Sequence, residues 1–229
     1  MGHVALIPAR AGSKSIINKN LIRLGSSETI TEKAIRLAKE CKFFNKIILS
    51  TDIEYFLDSD DRFFEGVQRH ERPDGLCTDN ALMKDVVADM LCNCGVSTDN
   101  WIWLLQPTTP FRKLKDFYHI KKKIEENNHR SVISLKDVAE THPSRMYTIH
   151  GEKAFPLKRS NFYNKQDLHP VYLRNGAFYV FNAKDFVNNE SFFLEPCYGH
   201  VMPFQRSINI DGPMDLHLAK NIIEKRLVL

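Results

Sequence analysis

Short apolar runs alternate with stretches of helical periodicity along most of the chain. Residues 4–9 predict a buried strand, and residues 29–41 place apolar side chains three and four positions apart, which predicts a helix with one apolar face. The alternation continues with strands at 46–50, 101–105 and 131–134 and with helices at 79–94 and around 117–124. This order predicts an α/β fold of three layers, with a mainly parallel sheet and helices on both faces.

Residues from about 138 to 174 interrupt the alternation with a polar, irregular segment rich in histidine, proline and asparagine. Regular patterns return with strands at 176–181 and 199–202 and with a final helix from about Pro213. An irregular segment of this length is usually functional or contacts a partner. Because the sequence shows no repeats, low-complexity tracts or linker, we expect residues 1–229 to form a single domain.

Composition narrows the class of protein. The chain has 229 residues, 43% hydrophobic and 26% charged, with a net charge of +4 and five cysteines without zinc spacing, which suits a reducing compartment. No apolar stretch approaches the ~20 residues of a membrane span, and the N-terminus shows no signal peptide, so we expect a cytoplasmic protein without a membrane partner. The basic run at 121–123 is better explained by a solvated helix face than by a nucleic-acid partner.

A basic loop follows the first strand and is the main candidate for chemistry. Three cations, Arg10, Lys14 and Lys19, flank the small residues at 11–13. Small residues let backbone N–H groups approach an anion, and the cations neutralise its charge. The loop lies at the carboxyl end of a strand, where open α/β sheets bind ligands, which favours a phosphate site over an exposed basic turn. It matches neither the Walker A nor the dinucleotide-binding glycine motif.

The loop from Pro8 to Asn20 resembles the basic signature of the CMP-sugar synthetases, the cytidylyltransferases that activate sialic acids and related 2-keto sugar acids. Further matches follow in the family's order and span nearly the whole chain: Ser50–Asp52, Arg72-Pro73, Leu105–Arg112, His142-Pro143, Asn175–Tyr179 and Ile210-Asp211. The resemblance implies a Rossmann-like, nucleotide-diphospho-sugar transferase fold. It also implies attack of a sugar hydroxyl on the α-phosphate of CTP, with release of pyrophosphate, and a homodimer whose 138–174 segment covers the sugar site.

The resemblance assigns the nucleotide side of the site. Catalytic roles fall to Lys19, Arg10, Lys165 and Gln106. The residues expected to bind CTP are Arg10, Ala11, Gly12, Ser13, Lys14, Lys19, Asn20, Arg72 and Asn80. Asn20 suits a tight turn equally well. Met83 stands where the family lines its cytosine pocket with small or hydroxyl-bearing residues, and helix core is the better explanation for it.

The sugar side is assigned in the same way. The residues expected to contact the sugar acid are Gln106, Thr108, Arg145, Arg174, Tyr179, Phe192 and Phe193. Lys165 replaces a family arginine and keeps its charge without the planar fork, so Arg174 is a candidate for part of that role. Phe192 and Phe193 are expected to complete the sugar pocket of the neighbouring subunit, the alternative being that both rings are core. Arg112 ends the matching segment Leu105–Arg112, and the alternative to a role in the site is that it forms an ion pair on the surface.

A magnesium (or manganese) site is implied at Asp211, with Asn209 where the family has a second aspartate. Mg²⁺ is typically held by one or two carboxylates together with substrate phosphates and water. The structural alternative for Asp211 is a helix cap, since Gly212 and Pro213 follow it. Asp52, at the end of a strand, is expected to support the site rather than to ligate metal.

The leading functional hypothesis is a cytidylyltransferase for a nonulosonic acid, in the sialic-acid (N-acylneuraminate) branch of the family. Branches acting on Kdo, legionaminic acid or pseudaminic acid are the enzymatic alternatives. A non-catalytic nucleotide-binding homologue is the alternative of another class. Four departures from the family pattern motivate that last hypothesis: Ser15, Ile17, Lys165 and Asn209.

Overall fold

The computed structural model describes residues 1–126, 129–138, 141–157 and 168–227. The strands of these residues are β1 (His3–Ala9), β2 (Lys46–Thr51), β3 (Val67–Glu71), β4 (Trp101–Leu104), β5 (Ser131–Asp137), β6 (Tyr147–His150), β7 (Lys153–Pro156), β8 (Tyr172–Asn182) and β9 (Cys197–Val201). The helices are α1 (Ile30–Glu40), α2 (Glu54–Leu57), α3 (Met83–Asn93), α4 (Leu114–Glu126), α5 (Ala183–Asn189) and α6 (Pro213–Glu224).

One seven-stranded sheet has the order β3-β2-β1-β4-β8-β5-β9. β8 runs antiparallel to its neighbours β4 and β5, and the other neighbouring pairs are parallel, so the predicted mainly parallel sheet is confirmed. The chain moves outward from β1 to β2 and β3, then returns to place β4 on the other side of β1. The loops after β1 and β4 therefore leave a crevice at this switch point, which is where such sheets bind ligands.

Alternation along the strands divides the sheet's side chains between two cores. Ala5 and Ile7 of β1 pack in the cluster that contains the apolar stripes of α1 and α4. Val4 and Leu6 pack in the other cluster, with α3 and α5. Because successive strand residues point to opposite faces, helices cover both sides of the sheet, as the sequence predicts.

The start of α1 follows from its local sequence. Thr29 accepts a hydrogen bond from the Glu32 amide through its hydroxyl (3.1 Å), and the Glu32 carboxylate accepts one from the Thr29 amide (2.6 Å). This capping box satisfies two amides that have no partner within the helix. It places the buried stripe of α1 against β1 and so supports the loop that leaves that strand.

Several predicted boundaries differ from the structure. α3 begins at Met83 rather than at residue 79, since Leu82 is the N-cap and leaves its side chain exposed. The segment 138–174, expected to be irregular, contains a 3₁₀ turn at Pro143–Arg145 and an antiparallel hairpin of β6 and β7. β3 and α5 were not predicted, because the run of β3 (VQRHE) lacks apolar alternation and α5 is short.

The described helices include none that has the length and apolar character needed to cross a membrane. The basic run at 121–123 lies on α4, where Lys121 and Lys122 pair with Glu125 and Glu126 one turn further along. This arrangement is the solvated helix face that the sequence predicts.

A buried charge cluster joins α4 to the last third of the chain. Asp116 accepts hydrogen bonds from Arg206, from His200 (3.3 Å) and from the Lys113 amide at the start of the helix (2.9 Å). Burial acts to raise the pKa of Asp116, but the hydrogen bonds from His200 and Arg206 outweigh it and lower the pKa to about 2. The folded state therefore stabilises the ionised carboxylate of Asp116 relative to the unfolded state.

We expect this cluster to make the free energy of unfolding depend on pH in the acidic range. Since the folded pKa of Asp116 lies below the unfolded one, its contribution of about 2 kcal/mol is complete above pH ~4 and is lost as pH falls toward 2. Urea unfolding of wild type and Asp116→Asn at pH 7, 4 and 3 measures this contribution. The difference in free energy of unfolding between the two proteins should shrink as the pH is lowered. Glu125→Gln, which breaks an exposed pair on the same helix, is the control and should change stability by less than about 1 kcal/mol. A difference independent of pH would contradict the assignment.

Candidate active site

The basic loop leaves the carboxyl end of β1 and is held by Asp52 at the end of the neighbouring strand. The Asp52 carboxylate accepts a hydrogen bond from the Ala11 amide (2.7 Å), which is the supporting role expected for it. The Ser13 amide donates to the Ala11 carbonyl (2.7 Å). Two of the three amides expected to face an anion are thus engaged within the protein. The cationic side chains rather than the backbone therefore dominate the loop's electrostatics.

Two of the loop's cations share one carboxylate. The Asp79 side chain lies 2.6 Å from Arg10 Nη2 and 2.7 Å from Lys14 Nζ. Arg10 Nη1 also donates to the Cys77 carbonyl (2.9 Å), so Arg10 fastens the loop to the segment before α3. Hydrogen bonds from Lys14 and Arg10 lower the pKa of Asp79, which keeps it ionised at neutral pH. Asp79 was not predicted from the sequence, because 69 positions separate it from Arg10.

Lys19 and Asn20 form the inner wall of the loop, and both are buried. The Lys19 ammonium contacts the backbone carbonyl (3.2 Å) and the carboxylate (3.4 Å) of Asp211. Asn20 Nδ2 donates to the Arg10 carbonyl (2.9 Å), while Asn20 Oδ1 is buried without a hydrogen-bond partner in the described residues. An acceptor left in this state is costly unless a ligand supplies a donor.

Arg72 is a buried cation beside the loop. Its guanidinium donates to the Ser50 hydroxyl (3.1 Å) and to the Ser50 carbonyl (2.9 Å) at the end of β2. Within the described residues no carboxylate forms an ion pair with it, and burial lowers its pKa. A buried guanidinium paired only with neutral acceptors favours an anion at its remaining N–H groups.

Gln106 follows β4 and faces the loop across the switch point. Its close neighbour is Gly176 on β8, which has a φ of +77° and where an added Cβ would lie 3.0 Å from Gln106 Oε1. The backbone conformation therefore favours glycine, and a Cβ at this position would press against the end of the Gln106 side chain. Asn175, beside it, donates to the Ser207 hydroxyl (2.9 Å) and accepts from the Ala177 amide (3.1 Å), which shapes the bulged part of β8.

Arg112 holds the loop that begins at Gln106. It is not the surface ion-pair residue considered as an alternative from the sequence. It is buried and donates to the Ala177 carbonyl, the Gln106 carbonyl and the Thr109 hydroxyl, each at 2.6 Å. Burial lowers the pKa of Arg112 to about 9. Its hydrogen bonds to three acceptors show that its role is to fix the loop after β4.

Two cavities meet at Gln106. The first, of about 160 Å³, is lined by Pro8, Arg10, Ser13, Lys19, Asn20, Arg72, Met83, Gln106, Pro107 and Thr108. The second, of about 410 Å³, is lined by Gln106, Lys136, Leu173, Arg174, Asn175, Gly176, Tyr179, Phe204, Ser207, Ile208, Asn209, Asp211, Asp215 and Leu218. The contact of Lys19 with Asp211 also joins the two. Gln106 and the Lys19–Asp211 contact thus lie between the two cavities.

The second cavity carries two cations that have no ion-pair partner among the described residues. Arg174 stacks on the Phe193 ring (4.3 Å to the centroid), and Lys136 lies over the Phe204 ring (5.6 Å). They stand on the adjacent strands β8 and β5, where Leu135 pairs with Arg174. Lys136 was not among the residues predicted from sequence, because a lysine in a strand carries no motif by itself.

The two phenylalanines differ in their surroundings. Phe192 is half-buried and packs on the α3–α5 core through Tyr179 (5.4 Å between centroids) and Phe181 (5.8 Å). Phe193 is 44% exposed and covers Arg174 of its own chain. Burial raises the pKa of the Tyr179 phenol, so it stays a neutral hydrogen-bonding group beside them. The core alternative therefore fits Phe192 better than Phe193.

Asp211 and Asn209 lie together at the mouth of the second cavity. Asn209 Nδ2 donates to the Asp211 carboxylate, and Asn209 Oδ1 is buried without a hydrogen-bond partner in the described residues. The cap of α6 comes from Asp215, which accepts from the amides of Asp211 (3.0 Å) and Gly212 (2.8 Å). The helix-cap role considered for Asp211 thus belongs to Asp215, and the Asp211 carboxylate contacts Lys19 and Asn209 instead.

The remaining predicted site residues differ in their position relative to the two cavities. Asn80 is exposed and lines neither cavity, and Arg145 lies in the 3₁₀ turn of the 138–174 segment. Thr108 lines the first cavity rather than the second. Met83 lines the first cavity and also packs on the core, as the helix-core explanation predicts. Lys165 falls outside the described residues.

A family model described as cytidylyltransferase matches residues 4–198. The chain belongs to this family. The N-acylneuraminate cytidylyltransferase of Streptococcus agalactiae serotype III is 31% identical to it over 219 residues, covering 92% of this chain and 51% of that protein. The CMP-N,N'-diacetyllegionaminic acid synthase of Legionella pneumophila is 30% identical over 229 residues, covering 96% of each chain. This chain therefore spans about half the length of the first relative and nearly all of the second.

Solved structures show the same fold at low sequence identity. CMP:2-keto-3-deoxy-manno-octonic acid synthetase, in a complex with CTP, superposes with a TM-score of 0.66 at 14% identity and covers 99% of this chain. 4-Diphosphocytidyl-2C-methyl-D-erythritol synthase gives a TM-score of 0.67 at 13% identity over 97% of it. The expected Rossmann-like nucleotidyltransferase fold of this cytidylyltransferase-family chain is thereby confirmed.

Proposed function

We propose that this protein transfers the cytidylyl group of CTP to a hydroxyl of a nonulosonic (sialic-type) sugar acid and releases pyrophosphate. The observation that carries the proposal is the pair of cavities that share Gln106. A phosphate chain held by the basic loop and a sugar held in the second cavity would meet at Lys19, Gln106 and Asp211. Transfer between two bound substrates requires such an arrangement.

The first cavity suits a nucleotide. Arg10, Lys19 and Arg72 all line it, and Lys14 belongs to the same loop and shares Asp79 with Arg10. Cations placed where pyrophosphate departs stabilise the charge that develops there. Asn20 Oδ1 offers an unpaired acceptor for a hydroxyl or amino group of the nucleoside.

The second cavity suits an acidic sugar. Lys136 and Arg174 form no ion pair with a described carboxylate, although Asp211 and Asp215 line the same cavity, and these two free cations favour a substrate with a carboxylate. Asn175, Tyr179 and Ser207 add hydrogen-bonding groups for sugar hydroxyls. The names of the streptococcal and Legionella relatives point to the same class of substrate. Legionaminic, pseudaminic and Kdo acids are the other substrates to be tested.

The residues at the junction fit a magnesium (or manganese) ion. Asp211 would supply a carboxylate, and Asn209, whose Nδ2 donates to that carboxylate, would supply its unpaired Oδ1 as a neutral oxygen, in keeping with the oxygen ligands that Mg²⁺ takes. Bound there, the ion would neutralise charge on the phosphates. The described residues contain no group of three or more His, Cys, Asp or Glu side chains that could hold a metal, so phosphates and water would complete this site.

A homodimer is part of the proposal. The hairpin of β6 and β7 exposes large apolar side chains, among them Tyr147 (62%), Ile149 (73%) and Phe155 (47%). Exposed apolar surface of this kind marks an interaction site. A dimer would bury it, and Phe193 would be placed to face a neighbouring subunit. A cytoplasmic location, where CTP is available and thiols stay reduced, completes the proposal.

The two phenylalanines give a matched pair of variants. We expect Phe193→Ala to raise the KM for the sugar acid several-fold with an unchanged KM for CTP, because its exposed ring covers Arg174. Phe192→Ala should instead destabilise the fold by about 3 kcal/mol, since its ring is packed among core aromatics. Steady-state kinetics and urea unfolding separate the two effects. A stability loss for Phe193→Ala without any change in KM would assign this ring to the core as well.

The proposed activity is tested with CTP, Mg²⁺ and a panel of N-acylneuraminic, legionaminic, pseudaminic and Kdo acids, with pyrophosphate release as the readout. Product with at least one nonulosonic acid is the expected result, and the acid with the highest kcat/KM identifies the branch. Binding of CTP without product from any acid would support the non-catalytic homologue that Asn209, Lys165, Ser15 and Ile17 suggest.

The proposed homodimer is tested by sedimentation at micromolar protein concentration. A monomer at that concentration would contradict it.

A further inference from the structure

The most concentrated charge contact on the nucleotide side involves a residue to which the proposed reaction gives no role. Asp79 holds Arg10 Nη2 at 2.6 Å and Lys14 Nζ at 2.7 Å, with one carboxylate oxygen on each cation. The same guanidinium is anchored on its other side by the Cys77 carbonyl at 2.9 Å. Asp79 thus presents to the loop what a phosphate would present: two anionic oxygens shared by an arginine and a lysine.

The position of Asp79 allows its carboxylate to be displaced from Arg10 and Lys14. It lies in the turn between the 3₁₀ turn Asp74–Leu76 and α3, and its side chain is 37% exposed. Lys14 is 87% exposed, so its ammonium can turn away with little loss of packing. Exposed ion pairs contribute at most about 1 kcal/mol, whereas a polyphosphate offers several charges to the same cations. Competition for Arg10 Nη2 and Lys14 Nζ therefore favours the polyphosphate.

We propose that Asp79 is the resident counter-anion of the phosphate loop. Its carboxylate pairs with Arg10 and Lys14 when no nucleotide is bound, and a polyphosphate displaces it from these two cations. The inference rests on the proposed function only in assigning the loop to the phosphates of CTP. While Asp79 is in place, it keeps Arg10 and Lys14 oriented and neutralised. After the reaction, its return to the two cations competes with pyrophosphate and assists the release of that product.

The test measures affinity rather than turnover, with inorganic tripolyphosphate and CTP as probes in isothermal titration calorimetry. Asp79→Asn keeps the shape of the side chain and removes the competing charge, so both probes should bind about five-fold or more tightly. Asp74→Asn is the matched control, since it removes the same charge from the same segment without an ion pair to the loop. It should change affinity by less than about two-fold. In a Lys14→Gln background, the gain from Asp79→Asn should shrink.

The outcomes separate the two proposals. Binding by Asp79→Asn that is equal to or weaker than that of Asp74→Asn overturns the counter-anion role and makes Asp79 a fixed support of Arg10. Absence of tripolyphosphate binding in both wild type and Asp79→Asn overturns it as well. Tighter tripolyphosphate binding in Asp79→Asn, without product from any sugar acid in the activity assay, leaves Asp79 as the counter-anion and removes the proposed reaction. Melting temperatures confirm that each variant is folded.

Discussion

Replacing Lys19 by alanine is expected to lower kcat by about 100-fold or more, the usual effect of removing a preorganised charge that acts on the transition state. Lys19 is the buried cation at the junction of the two cavities, and its side chain is only 11% exposed. Its contacts with Asp211 hold the ammonium in one place, so no reorganisation is needed as negative charge develops on the departing pyrophosphate.

Lys14 provides the control for Lys19 on the same loop. Its side chain is 87% exposed and is bound only by Asp79 among the described residues, so Lys14→Ala should reduce kcat less than about 10-fold and act mainly on the KM for CTP. Pyrophosphate release at varied CTP and sugar-acid concentrations separates kcat from KM. A normal kcat with a raised KM for Lys19→Ala would instead make Lys19 a residue that binds substrate and transition state equally.

The second large effect is expected for Asp211→Asn, which should nearly abolish turnover while leaving the fold intact. The Asp211 carboxylate is 69% exposed and faces the second cavity, so its removal has little cost in packing. With Asn209 already neutral, the variant leaves no carboxylate at the proposed magnesium site beyond the one that caps α6. The rate should fall by about 100-fold or more, because charge on the phosphates is then less well neutralised.

Two neighbouring variants test the reason for that loss. Asp215→Ala removes the acceptor that caps α6 and should lower the melting temperature, with turnover largely kept, since Asp215 binds backbone amides. Asn209→Asp should lower the Mg²⁺ concentration for half-maximal rate, because an added anion attracts the cation. Nearly full activity of Asp211→Asn, or no change in Mg²⁺ dependence for Asn209→Asp, would end the metal assignment.

Much of the architecture could be predicted from local pattern. The continuous apolar runs of β1, β2 and β4 indicate strands that are buried on both faces. The helical stripes of α1 and α4 indicate which face of each helix is buried, and neither pattern requires knowledge of the neighbouring element. α3 shows the limit of this rule, since the spacing of Leu82 matches the helix although Leu82 is its exposed N-cap. The hairpin of β6 and β7 was missed because all its residues are exposed and carry no core pattern.

What the sequence by itself determined is therefore the α/β layering, the family and the types of residue at the site, because these depend on periodicity and on short motifs. Only the tertiary structure decided which of those residues meet. It brought Asp79 onto Arg10 and Lys14, placed Lys136 beside Arg174, and buried Arg112 under Gln106. Each of these contacts joins residues on different elements or depends on burial, and the charge of a side chain does not specify its partner until the chain is folded.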